Sequence, residues 1–272
     1  MSEFLNAVRQ SADGGLDGVS DAVILAMSVV CGLLLIASVF ALGVSIYLAI
    51  RYAKYNRKQN SCGKTGEQIA RSILDRNGLE KIKVSKTGSI LFGNSYSHYF
   101  KKVRLRRLTW KKQSVTSLAM AAQKSALAVL DKENDADMRT RVRMTPVIYI
   151  GPLAFVPLVL IGAALDLFVF RTGSGTFTIA LTAVGTVFYL VSFIMSVMVL
   201  KTEKKAQERA YALMKEEGLA NAEELEMCRK LFRLYNIEYI NNMVIALLEL
   251  VYRVLQIVAY VQNASSSSQS SN

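Results

Sequence analysis

Between Asp21 and Arg51 no side chain carries a charge. The interval exceeds the roughly 20 residues that a helix needs to cross the hydrocarbon core of a bilayer. A helix that is apolar on every face needs an apolar surround, which a bilayer supplies and water does not. Residues 22–50 therefore read as a membrane span, with the excess length taken up by tilt or overhang. The stretch before it is acidic, with Glu3, Asp13, Asp17 and Asp21. That charge, and an apolar part longer than the roughly 7 to 15 residues of a signal-peptide core, argue against a cleaved signal peptide and against a mitochondrial transit peptide.

Two more apolar runs follow at 146–170 and 177–200, joined by Arg171-Thr-Gly-Ser-Gly-Thr176, a link short enough to make a hairpin. The first holds all 3 prolines of the chain, Pro146, Pro152 and Pro157. Neighbouring helices in a membrane bundle can satisfy the carbonyls that proline frees, so a plain kink is expected there rather than a functional hinge. Asp166 lies near the outer end of this run and is expected to reach the interface and pair with Arg171.

Arg51, Lys54, Arg57 and Lys58 follow the first run, Arg139, Arg141 and Arg143 precede the second, and Lys201, Lys204 and Lys205 follow the third. Lys and Arg stay on the cytoplasmic side of a membrane, so all three flanks are expected there, with residues 1–21 and the Arg171 turn on the other side. The segment 237–262 is apolar apart from Asn241, Asn242, Glu249 and Arg253. Glu249 and Arg253 stand at i and i+4, where they can pair and lower the cost of burying both. A fourth span is slightly favoured over an interfacial helix. Residues 201–236 read as a cytoplasmic helical region, and the Ser-rich tail 263–272 as disordered.

Between these runs lies the loop 51–145, where Lys and Arg outnumber Asp and Glu about three to one. It is long enough for a small domain. Ile69, Ile73 and Leu74 predict a helix from Gly66 to Asn77, stopped at Gly78. Ile82/Val84 and Ile90/Phe92 alternate as strands do, with Thr87-Gly88 available for a turn, and Val103-Arg-Leu-Arg106 alternates as a strand with one basic face. Ser114 can cap a helix running to about Leu130 with Val115, Leu118, Ala122 and Val129 on one side.

The densest basic run is Lys101, Lys102, Arg104, Arg106, Arg107, Lys111 and Lys112, interleaved with Tyr99, Phe100 and Trp110. With a net charge of +12 it points first to anionic lipid or an acidic protein partner. Nucleic acid is disfavoured because no recognised binding module is visible. The alternative is a solvated strand and loop. Cys31, Cys62 and Cys228 are too scattered for a disulfide framework or a Cys-rich zinc site. The single histidine, His98, excludes any zinc site built on two or three imidazoles of one chain, and reads as a hydrogen-bonded structural residue.

The order of these elements resembles the membrane-anchored neutral zinc metallopeptidases of the YugP-like family. Gly66-Glu-Gln-Ile-Ala-Arg-Ser-Ile-Leu-Asp-Arg-Asn-Gly-Leu79 is similar to that family's opening helix and Asn-Gly-Leu turn. His98-Tyr99 resembles the start of its His-Tyr-Asp-Pro-Arg motif, and Val103-Arg104-Leu105 its Leu-Arg-Leu strand. Glu203 to Ala210, Leu213, Gly218-Leu219, Glu224-Leu225 and Tyr239 follow the pattern of its last helices. The resemblance implies an α-helical membrane protein of three or four spans with a small α+β, zincin-like cytoplasmic domain. It also implies a bacterial plasma membrane, with an organelle inner membrane as the alternative.

Active relatives carry Ala-Ala-His-Glu-x-x-His, whose histidines bind zinc and whose glutamate activates water. Here the matching stretch is Ala121-Ala122-Gln123-Lys124-Ser125-Ala126-Leu127. Gln123 and Leu127 fall on the ligand positions and Lys124 on the base. An amide is a poor zinc ligand, leucine is none, and an ammonium cannot take a proton from water. The family's Glu-Phe-Asp-Ala-Ser stretch becomes Glu203-Lys204-Lys205-Ala206-Gln207; Glu203 persists, and reads as a solvated helix residue beside lysines. The resemblance therefore implies a pseudo-peptidase without metal or other cofactor, kept as a scaffold, a client-binding protein or an accessory subunit of a membrane complex. In that reading an extended peptide pairs with the strand at Val103 to Arg107. An active hydrolase with a relocated site, and a lipid- or RNA-tethering module using the basic loop, are the alternatives.

Overall fold

A computed structural model describes residues 1–11, 16–88, 93–170 and 175–269, without the side chains of 146–152, 264 and 267–269. The chain is mostly helical and divides into two units, one made of 1–40, 145–196 and 241–272, the other of 41–144 and 197–240. Among the described residues, three helices are long and apolar enough to cross a bilayer: α2 (Asp21–Arg57), α7 (Thr176–Glu216) and, within α8 (Ala222–Gln269), the part Ala222–Asn263. Leu35, Ile36, Val39 and Phe40 of α2 are each more than half exposed, which a hydrocarbon surround makes favourable. The chain is a membrane protein. The run 146–170 lies in α6 (Ala136–Ala164) and a π-helical turn, Leu165–Val169; α6 continues through all three prolines.

In the first unit, helix α1 (Ser2–Ser11) packs Leu5 with Val19, Ile24 and Ala259. Gly162 lets α6 and α7 touch, because a Cβ there would lie 2.7 Å from the Thr178 Cα. Asp166 is buried and caps α7, accepting from the Phe177 and Thr178 amides at 3.2 and 2.8 Å and from the Thr178 hydroxyl at 2.7 Å. Backbone donors at a helix start are the natural partners of a carboxylate, which corrects the expectation of a residue reaching the interface. The expected partner Arg171, with most of the Arg171-to-Thr176 link, lies outside the described residues. Glu249 and Arg253 do not form an ion pair: Glu249 accepts from the Tyr189 hydroxyl at 2.6 Å, and the Arg253 guanidinium lies over the rings of Phe155 and Tyr189 at 3.7 and 5.0 Å. Aromatic faces satisfy a cation where no water is available. The Ser-rich tail read as disordered is helical as far as Gln269, because adding a residue to an existing helix costs far less than starting one.

The second unit is not the contiguous domain 51–145 expected from the sequence, since 197–240 completes it. Its core gathers Ile69, Ile73 and Leu74 of α3 (Gly66–Arg76), Val103 and Leu105, and Leu118 and Val129 of α5 (Val115–Lys132). Leu213 and Met214 of α7 and Leu231 of α8 join them. Thr65 and Gln68 form a capping box at the start of α3, and Gly78, at φ +64°, takes the left-handed conformation just past its end. Helix α5 is capped by Ser114, which accepts from the Ser117 amide at 3.1 Å. It is buried on nearly all sides, far beyond the single stripe expected, since its many alanines admit neighbours on every face.

The sheet has the order β1 (Lys83–Thr87), β3 (Lys102–Arg106), β2 (Ser95–Ser97), with β1 parallel and β2 antiparallel to β3. Strand β3 is thus central and paired on both sides, so no peptide can be added to it, contrary to the sequence expectation; its alternation of basic and apolar residues hides that both edges are taken. The Ile90/Phe92 strand lies outside the described residues. The basic run is neither one strand nor one loop: after β3 it turns into the short helix α4 (Arg107–Lys111), whose buried Thr109 packs against Gly66 of α3. Replacing Ser114 by Ala is expected to lower stability by about 1 kcal/mol and by Thr much less, read as the thermal midpoint of the full chain in detergent.

Candidate functional site

Gln123 and Lys124 sit in the middle of α5, Arg141 near the start of α6, and Glu203 on α7. The fold brings all four together. Glu203 accepts from the Gln123 amide at 2.8 Å, from Lys124 Nζ at 3.1 Å and from Arg141 Nη2 at 2.7 Å. Its side chain is only 16% exposed, which corrects the expectation of a solvated residue beside lysines. The neighbours in sequence go elsewhere: Lys205 reaches Asp135 and Asp137 at 2.5 and 3.1 Å, and Lys201 reaches Asp137 at 2.9 Å. Leu127, one turn beyond Gln123, is fully buried with Leu130, Met138 and Ala206. Gln123, Lys124 and Glu203 are singled out from the sequence, and Arg141 is the member that sequence reasoning read only as a topology signal.

This donor set does not suit zinc. Tetrahedral zinc takes imidazole, thiolate and carboxylate donors. Here the one carboxylate is neutralised by two cations, the amide donates its N–H to it, and the remaining position is an alkyl group. A divalent ion brought to Glu203 would also meet the like charges of Lys124 and Arg141.

One further turn along α5, Asp131 anchors a second cluster. It accepts from the Tyr96 hydroxyl at 2.6 Å and pairs with His98 Nδ1 at 2.7 Å and Lys101 Nζ at 3.6 Å. Burial alone would raise the Asp131 pKa, but the hydrogen bonds from Tyr96 and His98 and the nearby cations outweigh it and hold the carboxyl below the ordinary aspartate value. Burial, and then the bond to Asp131, push the Tyr96 phenol up. His98 is thus a hydrogen-bonded residue, as expected. Gln123, Leu127 and Asp131 stand at i, i+4 and i+8, a spacing that puts all three on one face and could have signalled Asp131 from sequence.

The other basic residues are dispersed. Lys101 serves Asp131, Arg104 stacks over Phe100 at 5.5 Å, Lys102 and Arg106 end β3, and Arg107, Lys111 and Lys112 are exposed on or after α4. They do not form one surface patch within a single element.

Residues 30–258 match the model of a family described as "Putative neutral zinc metallopeptidase". The chain belongs to this family. It is also 23% identical over 231 residues to the "Putative membrane protease YugP" of Bacillus subtilis (strain 168), a match covering 82% of this chain and 96% of that relative. No solved structure matches it. Family membership and the donor set thus point in different directions: the family is named for a zinc peptidase, whereas this member has one histidine, and that histidine is held by Asp131 rather than placed on α5.

Two outcomes follow from the geometry. Glu203→Gln leaves Lys124 and Arg141 facing each other without a counter-charge and is expected to cost about 3 kcal/mol. Lys124→Met combined with Glu203→Gln, which leaves Arg141 without its carboxylate but removes the second cation, is expected to cost less than Glu203→Gln alone; thermal midpoints in detergent compare the two. Because the folded Asp131 pKa lies below its unfolded value, its contribution is complete above about pH 4 and is lost as pH falls through the folded value. Between pH 5 and 3 the wild-type midpoint is therefore expected to fall more steeply than that of Asp131→Asn.

Proposed function

We propose that this chain is a catalytically inactive member of the metallopeptidase family that binds a protein client, or a neighbouring subunit of a membrane complex, instead of cleaving it. One observation carries the reading: Lys124 and Arg141 supply to Glu203 the positive charge that a metal ion would supply. Two fixed cations hold the carboxylate in place and keep α5, α6 and α7 joined without any ion. The shape inherited from a peptidase is then preserved while the water-activating chemistry is not.

The client pairs with an edge strand. Among the described residues β1 and β2 each have one sheet neighbour, and β2 packs on α5 beside Asp131. Backbone pairing at such an edge needs no metal, and the alternating side chains of the client set its specificity. The basic second unit faces the cytoplasm of a bacterial cell, where Lys102, Arg107, Lys111 and Lys112 meet anionic lipid or acidic partners.

A relocated hydrolase is the second reading, and the His98–Asp131 pair favours it, since an oriented imidazole is half of a general-base device. Among the described residues, however, no serine, threonine or cysteine hydrogen-bonds to that imidazole, so no nucleophilic side chain is placed against it.

Metal analysis of the full-length protein purified in detergent, alongside cleavage of an unstructured protein substrate, decides between the readings. We expect zinc far below one ion per chain, no proteolysis, and no change on chelation. Stoichiometric zinc together with chelator-sensitive proteolysis would overturn the proposal. Proteolysis that survives chelation and disappears in His98→Ala would instead establish the relocated site.

A further inference from the structure

A cavity of about 790 Å3 opens in the second unit between the α3–β1 connection, the turn after β2, the end of α5 and the start of α6. Lys81, Lys101, Lys132, Arg139 and Arg143 line it, against the carboxylates of Glu80 and Asp131. Asp131 is already engaged by Tyr96, His98 and Lys101. Lys132 is fixed at the rim by the Asn77 and Gly78 carbonyls at 2.6 and 3.4 Å. Leu79, Ile82 and Val142 add apolar surface to its lining.

Arg139 and Arg143 are the two arginines of the lining. They stand one turn apart on α6, both are exposed, and among the described residues neither has an ion-pair partner. Arg141, two residues from each and therefore roughly on the opposite face of the helix, goes to Glu203 instead. The three arginines thus divide their work, one to the fold and two to the cavity.

We propose that this cavity binds a phosphate ester, with the phosphate held by Arg139 and Arg143, assisted by Lys81, and the organic part lying against Leu79, Ile82 and Val142. Guanidinium forks match phosphate oxygens two at a time, so two such forks with a lysine suit a phosphate group better than they suit a single carboxylate. The volume lies within the range of small-ligand pockets, roughly 300 to 1,000 Å3, and exceeds what bare phosphate fills. The ester is either a soluble metabolite or the headgroup of an anionic lipid, since α6 enters its apolar run directly after Arg143 and Met144. The proposal goes beyond the pseudo-peptidase reading and does not depend on it.

The test uses full-length protein with two probes. In non-ionic detergent micelles, sn-glycerol 3-phosphate is titrated by calorimetry; in nanodiscs with and without phosphatidylglycerol, retained lipid is counted by native mass spectrometry. At least one probe is expected to bind saturably, and Arg139→Gln with Arg143→Gln to weaken it about tenfold or more. Arg139→Lys with Arg143→Lys keeps the charge but loses the forks, and is expected to fall between. Lys215→Gln with Lys230→Gln removes the same charge from exposed positions of α7 and α8 that do not line the cavity and is expected to change affinity less than about threefold. Glycerol phosphate binding identifies a soluble ester as sufficient, and phosphatidylglycerol retention alone identifies the headgroup. Absence of saturable binding to both probes overturns the proposal, as does equal weakening by the Lys215/Lys230 pair.

Discussion

A carboxylate withdrawn from water has to find cations nearby, and Glu203 draws one from α5 and another from α6. The three helices that carry the functional geometry of the second unit therefore converge on one group. The same three helices also bury Leu127, Leu130, Met138 and Ala206 against one another. In such surroundings the charges cannot be partly wrong, because a single missing partner leaves another one stranded. A metal centre imposes the same discipline on its ligands. Here the discipline is kept with ammonium and guanidinium groups belonging to the chain itself.

The family name and the local chemistry are reconciled by separating shape from reaction. The second unit has α5 buried, a sheet beside it and an acidic residue arriving from α7. Zinc hydrolysis in general needs an ion and an activated water, and Gln123, Lys124 and Leu127 are poor donors for such an ion. The first set of features concerns packing and is spread over many residues. The second concerns a handful of side chains and can be lost without disturbing the first.

Local patterns carried much of the fold. The Ile69/Ile73/Leu74 stripe with Gly78, the Val103/Leu105 alternation and the Ser114 cap each appear where short-range chemistry places them. What escaped has in common a partner far away in sequence. Glu203 sits next to two lysines and looks solvated, yet its cations come from 62 to 79 residues upstream. Strand β2 is three residues long and too short to show a period. Helix α4 was hidden in a basic run whose charge drew attention away from Thr109, the residue that packs. Glu249 and Arg253 have the spacing of a pair, but Tyr189, Phe155 and a crowded bundle offered each of them something better.

The second unit is interrupted in sequence: 41–144 supplies the sheet, α3 and α5, and 197–240 supplies Ala210, Leu213, Met214 and Leu231 to the same core. During synthesis the ribosome releases the first part long before the second exists. For that period the faces of α3 and α5 destined for α7 and α8 stand uncovered while the intervening hydrophobic hairpin is being delivered to the translocon. A nascent chain in this state exposes sticky surface, so its maturation waits on membrane insertion, and any delay there leaves an orphaned half-domain open to quality-control proteases.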